Sequence, residues 1–204
     1  AGRDFDLRAS AGGGGTLISP ENHIDFPRPG LAGAHQIDNA GLALMALQAT
    51  RPYTAEGIAN AQWPGRVQHL DNGALADAWP HRQIWLDGAH NAHGARALAN
   101  TLSGIHDGKW NIICGALNTR DPAEFLTALK ALAGRVACPT IPDQDASLPA
   151  AGLRDAATAQ GLNASAAATL ATAFDSLDPS LPVIICGSLY LAGHVLLQNK
   201  TLPD

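Results

Sequence analysis

Apolar residues along this chain come in short blocks, and in the longer part of the sequence each block ends on a small or polar residue before a helical pattern begins. "RQIWLDGAHN" stops at Asp87, "WNIICGAL" runs through Cys114-Gly115, and "PVIICGS" stops at Gly187-Ser188. After the first block, Ala95, Leu98, Ala99 and Leu102 fall on one helical face. After the second, "DPAEFLTALKAL" offers Asp121 as N-cap, Pro122 at the first helical position, and Leu129 and Leu132 spaced from Phe125. "LYLAGHVLLQ" continues from the third. A short strand near "GRVACPT" and two alanine-rich helices, at about 149–161 and 164–175, complete the order. The turn signal "DNG" (Asp71, Asn72, Gly73) between "RVQHL" and "RQIWLDG" predicts an antiparallel hairpin or meander opening this part. Strands alternating with helices give an α/β fold, with a Rossmann-like, mainly parallel sheet and helices on both faces.

The first sixty residues are patterned differently. Up to about Pro29 short extended pieces are broken by "AGGGG" and "FPRPG". The glycine run has no Lys-Ser or Lys-Thr after it, so it reads as a flexible turn and not a P-loop. "HQIDNAGLALMALQA", His35 to Ala49, reads as a helix apolar almost all round, and such helices are usually buried. Pro and Gly cluster between about 52 and 64, which divides the chain into 1–60 and 61–204.

Composition narrows the function classes. The 204 residues are 46% hydrophobic and 15% charged, with a formal net charge of −5, ordinary values for a globular chain. The 13 Lys and Arg are scattered, so no nucleic-acid partner is expected. There is no signal peptide and no apolar run of about 18 residues, so neither secretion nor a membrane is expected. Three cysteines, Cys114, Cys138 and Cys186, show neither C-x-x-C nor zinc spacing and suit a reducing, cytoplasmic setting. The opening "AGRDFDL", without an initiator Met, reads like the interior of a longer protein.

In a parallel α/β sheet, ligands bind beyond the carboxyl ends of the strands. Three segments lie there, each just before a helix: Asp87 to Asn91, Asn118 to Asp121, and Gly187-Ser188. Helix N-termini present free N–H groups and partial positive charge, which suits phosphate or carboxylate. Asp87 admits two readings, a ligand for a ribose diol or a turn aspartate. His90 either donates to an anion or is a partly exposed loop residue. Asn91 reads as an N-cap, and Ser188 as an N-cap whose hydroxyl is also placed to meet a carboxylate. Arg66, after the rigid Pro64-Gly65 turn, is either a fixed guanidinium for an anion or an ordinary surface arginine. Asn39, in the apolar helix, either caps it or presents a buried amide to a base edge. His90 and His93 lack a carboxylate pair for zinc. No G-x-S-x-G and no G-x-G-x-x-G is present, against a hydrolase and a dinucleotide-dependent oxidoreductase.

In order along nearly the whole chain, "GRDF", "PRPGLAGAHQIDNAGLALMAL", "WPGR", "LDGAHNAHGARAL", "ICGALNTRDPAEFL" and "CGSLYLAGHVL" resemble the folylpolyglutamate synthase / dihydrofolate synthase family of the Mur ligase superfamily. "LDGAHN" separates this branch from the muramyl ligases. The resemblance implies a Mur ligase C-terminal domain preceded by the tail of the central ATPase domain. It implies an enzyme that uses ATP and Mg²⁺ to activate a pteroate or folate carboxylate as an acyl phosphate, on which the amine of glutamate then forms an amide. By position in the motifs, Asn39 would contact the adenine, Arg66 the ATP phosphates and Asp87 the ribose, while His90 and Ser188 would hold the glutamate, with Arg66 shared. Two positions depart from the family: Ala92 stands where it usually has proline, and Arg120 where it often has lysine. The family's P-loop, Mg²⁺ ligands and much of its folate site are not matched in these residues, so the chain alone is expected to be inactive. The family also implies a monomer. A non-catalytic nucleotide or amino-acid binding module and a muramyl-type ligase are the alternatives.

Overall fold

The computed structural model describes residues 5–48 and 54–202. They form two compact units, one ending at Trp63 and the other starting at Pro64. Ala49, the last residue of the helix expected from His35, lies outside the described residues.

In the first unit, strands β1 (Asp6–Ala9), β2 (Gly15–Ile18) and β3 (His23–Phe26) make a three-stranded antiparallel sheet in that order. The glycine run closes the β1–β2 hairpin, with the Ser10 N–H donating to the Gly14 carbonyl at 2.9 Å. Helix α1 (His35–Gln48) covers the sheet and builds a small core from Leu17, Phe26, Ala40 and Leu44. Contrary to the expectation of a helix buried all round, only the stripe Gln36, Ala40, Gly41 and Leu44 is buried, and Leu42 and Leu47 are exposed. One sheet face meets one helix face, so a second apolar face finds no cover within this unit. A 3-10 turn at Ala55–Ile58 follows.

The second unit carries a six-stranded sheet made of β4 (Gln68–His69), β5 (Ile84–Leu86), β6 (Trp110–Cys114), β7 (Ala133–Pro139), β8 (Asn163–Ala167) and β9 (Val183–Cys186). Their order across the sheet is β4-β5-β9-β6-β7-β8, all parallel except β4. Helices α2 (Ala74–Ala78), α3 (Ala92–Ser103), α4 (Ala123–Leu129), α5 (Ala150–Ala159), α6 (Leu170–Asp175) and α7 (Leu189–Asn199) intervene. Ile113, Val183 and Ile185 share one apolar cluster with residues of α2, α6 and α7. Their neighbours Ile112 and Ile184, also buried, point to the opposite face because strand side chains alternate. Along that second layer α3 packs on α4 and α4 on α5. The Rossmann-like α/β arrangement read from the sequence is therefore present.

Three local expectations are corrected. β4 does pair antiparallel with β5, but "DNG" leads into α2 and is no hairpin turn. Gly73 is the N-cap of α2, and the buried Asn199 side chain accepts the Leu75 N–H at 2.8 Å while donating to the Asn72 carbonyl at 2.9 Å. The stretch from 164 is a strand at first: "NASAA" pairs with β7 as the sheet edge, and α6 begins only at Leu170. Hydrogen bonding to an open sheet edge overrides the helix preference of alanine there. Finally, α4 has Pro122 as N-cap and begins at Ala123, with the Asp121 carboxylate accepting the Ala123 N–H at 2.9 Å, one residue later than the spacing predicts.

Asn199 has zero solvent exposure and ties the β4–α2 loop to the end of α7. Asn199→Ala is expected to lower the unfolding free energy by about 1–3 kcal/mol, because it leaves the buried Leu75 N–H without a partner. Urea unfolding measures it, and a loss within about 0.5 kcal/mol of zero would contradict this role.

Candidate functional site

At the carboxyl ends of β5, β9 and β6 the chain turns three times into helices, and backbone hydrogen bonds lace these turns together. The Asp87 N–H donates to the Ile185 carbonyl at 2.9 Å, the Gly187 N–H to the Ala89 carbonyl at 2.8 Å, and the Gly115 N–H to the Cys186 carbonyl at 3.2 Å. Gly187 has φ 105°, and a Cβ there would lie 2.5 Å from the Gly115 carbonyl oxygen, so the turn after β9 requires glycine. β9 lies between β5 and β6, although the chain passes directly from β5 through α3 to β6. That crossing is the topological switch point at which such sheets open a crevice.

A crevice of about 400 Å³ lies there. All three segments singled out in the sequence line it: His90 and Asn91, then Thr119 to Asp121, then Gly187 and Ser188. Asn91 caps α3, its side-chain oxygen accepting the Gly94 N–H at 2.8 Å. Ser188 caps α7 and is buried, its Oγ accepting the Tyr190 N–H at 3.1 Å. Its hydroxyl proton is given to no described residue and is available to a ligand in the crevice. His90 Nδ1 lies 2.8 Å from the Gly88 carbonyl oxygen. A carbonyl only accepts, so Nδ1 carries a proton, and Nε2 donates to an anion only in the imidazolium. Glu124 and Tyr190 also line the crevice and were not singled out in the sequence. Their signal lay in the first turns of α4 and α7, beside the capping residues.

Asp87 and Arg66 do not line this crevice. Asp87 is buried, and its Oδ1 accepts the Ala89 N–H at 2.7 Å while Oδ2 accepts the Val67 N–H at 2.9 Å. Of its two readings, the turn aspartate is thus present in the structure. Arg66 is exposed and makes no ion pair among the described residues.

The first unit has a separate apolar cavity of about 300 Å³, lined among others by Leu31, Gln36, Asn39, Ala43 and Ile58. The sequence offers Asn39 as a cap of α1 or as a buried amide presented to a base edge. It is neither a cap nor buried: it is exposed in the second turn of the helix, and its Nδ2 donates to Gln36 Oε1 at 2.9 Å. Gln36 is the buried amide, 5% exposed, one helical turn before Ala40 on the buried stripe. A polar residue within that i, i+4 stripe was the missed signal. Among the described residues no group of three or more His, Cys, Asp or Glu side chains could hold a metal ion. No helix of the described residues is long and apolar enough to cross a membrane.

A parallel α/β sheet with a polar crevice at its switch point, walled by helix N-termini, defines a ligand-binding domain of the Rossmann-like class. Residues 65–189 match the family described as Mur ligase, glutamate ligase domain, and the chain belongs to that family. Its relatives include the folylpolyglutamate synthase of Lacticaseibacillus casei, 30% identical over 98% of this chain and 48% of the relative. Among solved structures, the folylpolyglutamate synthase of Thermotoga maritima is 26% identical, with a TM-score of 0.72, over 98% of this chain and 47% of that one. Escherichia coli FolC, solved with DHPP and ADP, shares the fold with a TM-score of 0.76 at 23% identity, over 96% of this chain and 46% of that one. The chain thus spans about half the length of these proteins. Members of the family are ATP-dependent ligases.

Beneath the crevice lie buried thiols. Burial pushes Cys138 from its ordinary 9.0 to about 12. Cys186 is raised by burial and then by the Asp87 carboxylate, and Cys114 by burial and by the neighbouring thiols. All three are free. A folded thiol held neutral contributes stability that is full below pH 9 and is lost as pH rises through the folded value, because the unfolded chain releases its proton first. Unfolding free energy is expected to fall between pH 9 and 12, more shallowly in Cys138→Ala than in the parent. Equal slopes in urea melts across that range would contradict the assignment.

Proposed function

We propose that this chain supplies the glutamate and nucleotide subsites of an ATP-dependent ligase that joins L-glutamate to dihydropteroate or to a folyl (poly)glutamate. The crevice walled by His90, Ser188 and the N-termini of α3 and α7 carries this reading. Glutamate brings two carboxylates, and the site offers N–H groups, a hydroxyl proton and, in the imidazolium, the His90 Nε2–H to meet them.

In the reaction the substrate carboxylate attacks the γ-phosphorus of ATP, forming an acyl phosphate and releasing ADP. The glutamate amine then adds to the acyl carbon, inorganic phosphate leaves, and the ammonium proton passes to solvent or to a base. The residues of this chain act by placement: Ser188 and His90 fix the carboxylates so that the amine nitrogen faces the acyl carbon. Arg66 supplies a guanidinium to the nucleotide phosphates, and Asp87, at the strand end, serves the ribose. In the first unit, Asn39, held by Gln36, lines the apolar cavity and is the residue assigned to an adenine edge. Mg²⁺ would neutralise charge on the phosphates, and the described residues hold no donor set for it. These 204 residues contain no G-x-x-x-x-G-K-[ST] sequence, so alone they bind ligands without turnover. A monomer in the cytoplasm completes the proposal.

Glutamate-dependent ADP release, measured on the natural gene product that contains this chain, tests it. With dihydropteroate or tetrahydrofolate as acceptor, Ser188→Ala and His90→Ala are each expected to raise the KM for glutamate by about tenfold or more, the value of one hydrogen bond to a charged group. Turnover with a UDP-muramyl acceptor, or none with any folate, would overturn the reading.

A further inference from the structure

Residues 64–68 are held more firmly than an exposed loop requires. Pro64 followed by Gly65 at φ 67° is the residue order of a tight turn whose second position is left-handed. The Gly65 carbonyl accepts the Gly88 N–H at 2.8 Å, and the Gly65 N–H donates to Gln68 Oε1 at 2.9 Å. On the other side of Arg66, Val67 sits at φ 46°, a conformation rare for a β-branched residue, with its N–H on Asp87 Oδ2 and its side chain buried. Both neighbours of Arg66 are thus tied down, one to the strand end and one to the side chain of β4. The Arg66 side chain itself is exposed and makes no ion pair among the described residues. Strain kept beside a free guanidinium is what a preorganised anion ligand needs, since a flexible arginine otherwise loses much rotamer and backbone freedom on binding.

We propose that Gln68 is a positioning residue: by accepting the Gly65 N–H it completes the turn that aims the Arg66 guanidinium at the phosphates of the nucleotide. The inference rests on the reading of Arg66 as a phosphate ligand. Asp87 holds the same loop from the Val67 side, so part of the effect of removing Asp87 belongs to Arg66. Gln68 does the same from the opposite side and does not line the crevice assigned to the amino acid.

A double-mutant cycle on the natural gene product, read as KM for ATP and kcat, separates positioning from bulk stability. Arg66→Ala is expected to raise the KM for ATP by about tenfold. Gln68→Met, which keeps the length of the side chain but removes its acceptor, should raise it by about threefold or more with kcat nearly unchanged, and Gln68→Glu, which keeps an Oε acceptor, should restore it. In the Arg66→Ala background, Gln68→Met should add nothing. Melting curves accompany each variant, and Gln68→Asn, whose shorter amide stops short of Gly65, replaces the methionine if that variant does not fold. An unchanged KM in Gln68→Met, or an equal rise with and without Arg66, overturns the positioning role while leaving Arg66 as a ligand. An unchanged KM in Arg66→Ala overturns the phosphate reading itself.

Discussion

A buried carboxylate holds the functional end of the larger unit together. Asp87 is the first residue after β5, and its two oxygens accept N–H groups twenty residues upstream and two residues downstream. Burying such a group without donors costs several kcal/mol, so the local backbone folds around it. The result is that the Arg66 loop, the end of β5 and the turn into α3 are tied to one carboxylate. Laced to the turn after β9 by the Gly187 N–H, they also fix where α7 begins.

From that arrangement the electrostatics follow. Asn91 and Ser188 cap their helices with side-chain oxygens, each taking up one N–H of the first turn and leaving others to face the crevice. The crevice presents helix N–H groups and the Ser188 hydroxyl together with Arg120, and Asp121 and Glu124 line it as well. The strands that carry it are apolar, and their three thiols are buried.

The parallel sheet was legible because β5, β6 and β9 are continuous apolar runs, each ending in turn residues. The three segments of the crevice were legible for the same reason: topology puts strand ends together whatever their side chains. What failed was local. "NASAA" is a better helix than strand by propensity, and only the unpaired edge of β7 makes it extended. "DNG" carries hairpin chemistry, but the requirement of buried Asn199 for partners at Asn72 and Leu75, 127 and 124 residues away, draws it into a helix start. A helix apolar all round makes Asn39 the expected buried amide of α1. Gln36 fills that place, and helical phase relative to Ala40 and Leu44 distinguished the two.

The central claim is that the crevice between His90 and Ser188 receives the amino acid. A crystal structure of the natural gene product with glutamate and ADP tests it most directly. Glutamate density is expected in that crevice, with one carboxylate at the Ser188 hydroxyl and the N-terminus of α7 and the other within reach of His90 Nε2. Density for glutamate elsewhere, with this crevice filled by water alone, would contradict it.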